Sequence, residues 1–273
     1  MKKHLSTLAL ILVLVVGLSL VLYPTISDWW NSRHQTRAIA TYSQSVAALD
    51  AASYDKIWED ARAYNAALLE KPNRYSMTEE ELAEYSALLN VSGNGIMCYI
   101  EIPSLDCTLP VYHGTDEAVL QVAVGHIEIS SLPVGGKGTH CVLSGHRGLP
   151  SAKLFTNIDQ LTKGDRFNLH VLDETLTYEV DQILTVLPEN VGALEIDPDE
   201  DYCTLVTCTP YGINTHRLLV RGHRVDTVIE PEKVTVRVTS EAQSVDMWLA
   251  AACFAAPVLL ILLIALMIGP RKR

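Results

Sequence analysis

The chain has 273 residues, with 21 Lys and Arg against 32 Asp and Glu, and 48% of it is hydrophobic. That is room for one ordinary domain with attachments, but the apolar residues collect in two long runs at the ends, which excludes a simple cytosolic enzyme. The fifteen Gly and twelve Pro follow no period, so collagen-like, low-complexity and solenoid architectures are excluded as well.

Residues 5–23 carry only Ser6, Thr7 and Ser19 as polar interruptions and follow Lys2 and Lys3, an apolar length that spans a bilayer. The run closes on Leu22-Tyr23-Pro24 rather than on a small-x-small site, so it reads as an uncleaved anchor and not as a signal peptide. Residues 247–269 form a second run without one charge, followed by Pro270-Arg271-Lys272-Arg273. Basic residues sit on the terminal side of both runs, which by the positive-inside rule places both termini in the cytoplasm and residues 24–246 outside a two-pass cell membrane protein. Between the runs, 16 basic residues face 32 acidic ones, a balance that repels nucleic acid. Five of the six cysteines, Cys98, Cys107, Cys141, Cys203 and Cys208, lie between the runs and Cys253 lies in the second. An odd number leaves at least one thiol free unless it pairs between chains. A Cys98–Cys107 bridge across neighbouring strands is one option the spacing allows. No CxxC pair and no HExxH occurs, so zinc has little support.

In chain order, Tyr54, Ile57, Trp58, Ala61, Tyr64 and Leu68 mark one stripe of an amphipathic helix over 53–69. Lys71-Pro72-Asn73 stops it; Thr78 and Glu81 then form a capping box, with Met77 and Leu82 placed as a staple, for a second helix to about residue 89. Asn90, Gly93, Asn94 and Gly95 break the pattern. From there strands are expected at 95–102, 108–111, 139–145, 166–171, 174–186, 201–208 and 217–226, with a hairpin turn at 170–175 and helical stretches near 117–122 and 153–161. Short strands with little helix between them predict a mostly β, closed or nearly closed barrel. The organisation is therefore an anchor (1–23), a helical stalk (24–94), a barrel domain (95–228), a connector or strand extension (229–246), a second membrane helix (247–269) and a basic tail (270–273).

Thr204-Leu-Val-Thr-Cys208-Thr-Pro210-Tyr-Gly212 puts a cysteine at a strand end, where a nucleophile is held firmly yet exposed. Cys203 is five residues earlier and points to the opposite face. A thiol needs a nearby cation or base, and candidates are His146, Arg147, His216, Arg217, Arg221, His223 and Arg224. His146 follows a strand inside a Gly-bounded turn, which makes it the best acid or base. Arg217 opens the strand after the Pro-Tyr-Gly turn and faces Cys208 across an antiparallel pair, whereas Arg221 lies about 13 Å further along at strand rise.

The His146-Arg-Gly-Leu-Pro150 segment, the Thr204-Leu-Val-Thr-Cys208 strand end and the Asn214-Thr-His-Arg217-Leu-Leu-Val-Arg-Gly-His-Arg224 run resemble the sortase family, and within it class C, the pilus-assembling enzymes. Tyr99-Ile-Glu-Ile-Pro103, Leu109-Pro-Val-Tyr-His-Gly114 and Gly125-His126 extend the resemblance over residues 99–224, and the two flanking spans fit the class. The resemblance implies a sortase β-barrel and a transpeptidase that cleaves LPXTG-like signals between Thr and Gly. Cys208 would form the thioester, Arg217 would hold the oxyanion and His146 would act as acid and base. The acyl acceptor it implies is a pilin lysine, or in housekeeping sortases a cell-wall precursor; no cofactor and no metal is implied. One departure is the missing Asp-Pro-aromatic anchor of the class C lid, for which Tyr75 in Lys71-Pro-Asn-Arg-Tyr75 is a substitute or merely part of a connector. The rival readings are a hydrolytic cysteine protease, a caspase-like enzyme, for which the Gln-Ala-Cys signature is missing, and a non-catalytic membrane-tethered scaffold.

Overall fold

The computed structural model describes residues 2–227, so the expected connector and second membrane run lie outside the described residues. Helix α1 (Lys2–Ala47) carries the first apolar run and passes through Pro24. It is long and apolar enough to cross a membrane. Asp28–Thr227 form one compact unit, and the apolar stretch before Asp28 falls outside it. Helix α2 (Ala51–Glu70) starts on the Asp50 N-cap, whose carboxylate accepts from Ser53 N–H at 2.7 Å. It buries Trp58, Ala61, Asn65 and Leu68 on the expected stripe. Helix α3 (Glu79–Ala87) has the full capping box between Thr78 and Glu81. Leu82 stays 45% exposed, so the staple contributes little.

Eight strands follow: β1 (Ile96–Ile102), β2 (Cys107–His113), β3 (Val124–His126), β4 (Thr139–Ser144), β5 (Arg166–Val171), β6 (Glu174–Val186), β7 (Asp201–Thr209) and β8 (His216–Val225). They close a barrel in the order β1-β2-β3-β4-β7-β8-β6-β5, antiparallel except for the parallel pairs β2·β3 and β4·β7. Closure leaves no strand edge exposed. Between β2 and β3 a single-turn helix, α4 (Glu117–Leu120), occupies the first expected helical stretch. The second yields only a 3-10 turn at Ile158–Gln160, because Leu154 adopts a left-handed φ of 38° that interrupts any helix. The Cys98–Cys107 bridge is absent: all five described cysteines are free, and the ladder sets Cys98 against Val111 but Cys107 against Ile102.

Alternation sends Phe167, Leu169, Tyr178, Cys203, Leu205 and Val220 into the barrel. Gly222 on β8 must be glycine, since a Cβ there would meet Phe167 and Tyr178 at 2.9 Å. The helices are fastened to this core by polar side chains. Tyr42 on α1, fully buried, donates to Met97 O (3.0 Å) and accepts from Leu172 N–H (2.7 Å). Asn65 on α2 bonds both the carbonyl and the N–H of Leu132. Tyr85 on α3 donates to His126 Nδ1 (2.9 Å) and accepts from Gly114 N–H (3.1 Å).

Burial lowers the pKa of His126, and of His140 on β4, from 6.5 to about 4. Both are neutral in the folded state, while the unfolded chain takes up protons as pH falls below about 6.5. Stability is therefore fully present above pH ~6.5, is lost as pH falls towards 4 and levels off below it, by up to about 3 kcal/mol per group. Urea melts of the chain between pH 7 and 4.5 are expected to show this decline, and replacing His126 or His140 by Gln should flatten it.

Candidate active site

Three elements meet at one end of the barrel. Cys208 is next to the last residue of β7 and pairs with Arg217 on β8, while Thr209 pairs with His216. The connecting turn starts with a cis Thr209–Pro210 bond; Ile213 and Asn214 N–H groups both bond Pro210 O at 3.0 Å, and Asn214 takes a left-handed φ of 62°. Arg217 Nη1 donates to Asn214 O (3.2 Å) and His216 O (3.1 Å), which holds its guanidinium over that turn.

His146 lies two residues beyond the end of β4. Gly145 N–H donates to Val206 O (3.0 Å) and Thr207 Oγ1 donates to Gly145 O (2.7 Å). The residue before His146 is thus clamped to the two residues before Cys208. Gly145 is required by closeness: a Cβ would stand 2.7 Å from the Phe155 ring. His146 O in turn accepts from Phe155 N–H at 3.1 Å. Cys208, His146 and Arg217 are all half-buried, reachable yet framed by backbone. The structure brings these three sequence candidates to one end of the sheet, where His216, paired with Thr209, and Arg147 also lie, and leaves Arg221, His223 and Arg224 further along β8. Arg221 is opposite Thr204, bound to Asp181 at 3.0 and 2.6 Å and stacked 4.0 Å over Tyr202. Arg147 bonds Asp159 and lies 5.7 Å over the Tyr211 ring.

An apolar strip leads to this end on the outer face of the sheet. Val142, Val206 and Leu219 share the parity of His146, Cys208 and Arg217 and form a cluster separate from the barrel core. The β6–β7 connection covers it with Ala193 and Leu194. His140, only 1% exposed, holds that connection down. Its Nδ1–H donates to Glu195 O (2.8 Å), because a carbonyl can only accept, and its Nε2 accepts from Thr204 Oγ1 (2.7 Å). Sequence placed His140 only at a strand start; nothing in its neighbours announces Glu195, fifty-five residues on.

The α2–α3 connector grips the same loop. Arg74, 8% exposed, donates from Nη2 to Leu194 O (3.0 Å) and Glu195 Oε2 (2.9 Å), and Tyr75 OH donates to the other oxygen of Glu195. Arg74 and Tyr75 line a recess with Ile127, Val142, Val191 and Leu194. The buried anchor is therefore Arg74, while Tyr75 remains 43% exposed.

The sortase domain model matches residues 100–225, and the solved sortase C1 from Streptococcus agalactiae is 50% identical, covers 70% of this chain and 98% of its own, and superposes with a TM-score of 0.68. The chain belongs to the sortase family. Sortase C from Streptococcus pneumoniae is 43% identical with a TM-score of 0.61, covering 70% of this chain and 97% of its own. These neighbours agree with the class C assignment made from the motifs. Sortase A of Bacillus anthracis is 27% identical over 226 residues, 83% of this chain and 97% of its own length. Sortases are cysteine transpeptidases, and in this sortase Cys208, its strand partner Arg217 and the His146 turn lie at one end of the barrel.

Proposed function

We propose that this sortase joins proteins by transpeptidation: it cleaves an LPXTG-like signal between Thr and Gly and passes the acyl group to an amine, a pilin lysine in a growing pilus. The observation that carries this reading is the pairing of Cys208 with Arg217 beside the clamped His146 turn, at the end of an apolar strip. The signal would lie along that strip with its Thr carbonyl at Cys208. The thiolate adds to the carbonyl carbon, and the carbonyl oxygen takes the negative charge towards the Arg217 guanidinium, a permanent cation with directed donors. His146, protonated at this stage, gives its proton to the glycine nitrogen as the C–N bond breaks, which leaves a thioester and a free amine. The incoming amine then adds to the thioester, His146 takes its proton, and the thiolate leaves. No step needs a cofactor.

The pilus reading rests on the sortase C neighbours; the match to sortase A of Bacillus anthracis keeps a cell-wall precursor as the alternative amine. Incubating the chain with an LPXTG peptide and equal concentrations of a lysine-bearing pilin domain and a wall-precursor peptide tests this. Isopeptide product with the pilin is expected; product only with the precursor overturns the pilus reading and keeps the transpeptidase.

The Arg74 contacts support a restraint on the strip. Arg74→Ala frees the connector and is expected to raise the acylation rate several-fold. Because it leaves the Leu194 carbonyl without its donor, it should also cost about 1–3 kcal/mol in a urea melt. Unchanged acylation with the melt shifted would mean that the contact is structural alone.

A further inference from the structure

The segment after His146 runs from the end of β4 to the 3-10 turn at Ile158–Gln160 and is braced across itself. His146 O accepts from Phe155 N–H at 3.1 Å, and Gly148 N–H donates to Thr156 Oγ1 at 3.2 Å. Ala152, Leu154 and Phe155 are buried, so the inner side of the loop is seated on the core. Its outer bend is held by a different element. On α1, Asn31 Nδ2 donates to Ser151 O at 2.8 Å, and Asp28 Oδ1 accepts from Lys153 N–H at 2.9 Å, with Asp28 Oδ2 3.6 Å from Lys153 Nζ. Asp28 and Asn31 are three residues apart and share one helix face. Both bonds reach backbone atoms of the loop, so they fix where the chain goes rather than where one side chain points.

The helix that holds the bend is itself a fixed reference. Further along α1, Gln35 Nε2 donates to Val122 O at 2.7 Å and buried Tyr42 ties Met97 and Leu172 together. From Asp28 the path to the imidazole is short: Lys153 N–H, two residues of chain, then Phe155 N–H bonded to His146 O. A shift of about 1 Å in a reacting group costs up to about 100-fold in rate, and the supporting contacts set such positions.

We propose that Asp28 and Asn31 are positioning residues for the transfer reaction: by holding Ser151 and Lys153 they fix the loop that returns to His146 and so set the imidazole relative to Cys208. This rests on the acid–base reading of His146 given above. The ion pair to the exposed Lys153 side chain is secondary, since exposed pairs contribute little; the bond from Lys153 N–H is the one that matters. Water can satisfy Ser151 O and Lys153 N–H when the helix side chains are cut back, so the fold survives the substitutions.

The test uses the full chain in detergent, with an LPXTG peptide and single-turnover acylation followed by intact mass. The double variant Asp28→Ala/Asn31→Ala is expected to acylate about ten-fold more slowly at saturating peptide, with the half-saturating peptide concentration and Tm unchanged. Asp28→Asn, which keeps an oxygen to accept Lys153 N–H, is expected to retain most of the rate. An unimpaired double variant overturns the proposal, and so does a loss of rate accompanied by an equal loss of Tm or peptide affinity. His146→Ala separates the two readings. If it acylates at the parent rate, the acid–base reading falls and the positioning role with it; if it is inactive while the double variant is unimpaired, the positioning role alone falls.

Discussion

Cys208→Ala is expected to abolish acyl transfer, a loss of about 10⁶-fold by comparison with the removal of a nucleophile from other covalent enzymes. Its stability should change by no more than about 1 kcal/mol, because the side chain is half-buried at a strand end. The contrast with the remaining thiols makes the result specific. Cys98 and Cys141 are fully enclosed, and burial holds their thiols well above the ordinary cysteine range; Cys107 is pushed up to about 11 for the same reason. Such thiols stay protonated and unreactive at neutral pH. Cys203, one of the paired strand's inward residues, is 0% exposed. Replacing Cys141 or Cys203 by Ala is therefore expected to lower the melting temperature and leave the rate per folded molecule unchanged. A Cys208→Ala chain that still forms product would mean that the sulfur at this barrel end is incidental.

Arg217→Ala is expected to slow acylation by about 10²–10³-fold at unchanged affinity for the peptide, the range for removing one preorganised oxyanion donor. The effect should fall on the maximal rate because charge reaches the carbonyl oxygen only as the transition state forms. Arg217→Lys should recover only part of it, since a single ammonium lacks the planar fork that can donate to an oxyanion while keeping the Asn214 and His216 carbonyls. Arg221→Ala is the control. That guanidinium has the same strand parity but is committed to Asp181 and Tyr202, so its loss should be read in a urea melt and not in the oxyanion step. Equal losses from both variants would argue that general positive charge, not Arg217, assists the reaction.

The parts of the molecule that were legible in the sequence are those governed by local rules. The capping box at Thr78, the stripe on α2 and seven of the strands follow from periodicity and turn chemistry, and the Cys208–Arg217 pairing follows from strand parity across a turn. Strand β3 escaped because three residues, Val-Gly-His, all buried, are too few for any alternation to show. The expected helix near 153–161 failed because Leu154 turns left-handed and the Lys153 and Phe155 N–H groups bond Asp28 and His146, which leaves only 3-10-type turns within the segment. What remained invisible depends on long-range contact. Arg74 looked like one residue of a connector until Glu195 met it 121 residues later, and Asp28 and Asn31 acquire a partner only when the loop after His146 folds back against α1. His140 gave no sign of its role because both of its partners come from distant parts of the chain.

The most direct test of the central claim, that Cys208 carries the acyl group from a sorting signal to an amine, is intact-mass analysis of the chain mixed with an LPXTG peptide, before and after a lysine-bearing acceptor is added. The expected result is a mass increase equal to the acyl portion of the peptide up to Thr, mapped to Cys208, that the amine discharges faster than water does. No adduct on Cys208, or an adduct that water clears as fast with the amine as without it, would contradict the transpeptidase reading.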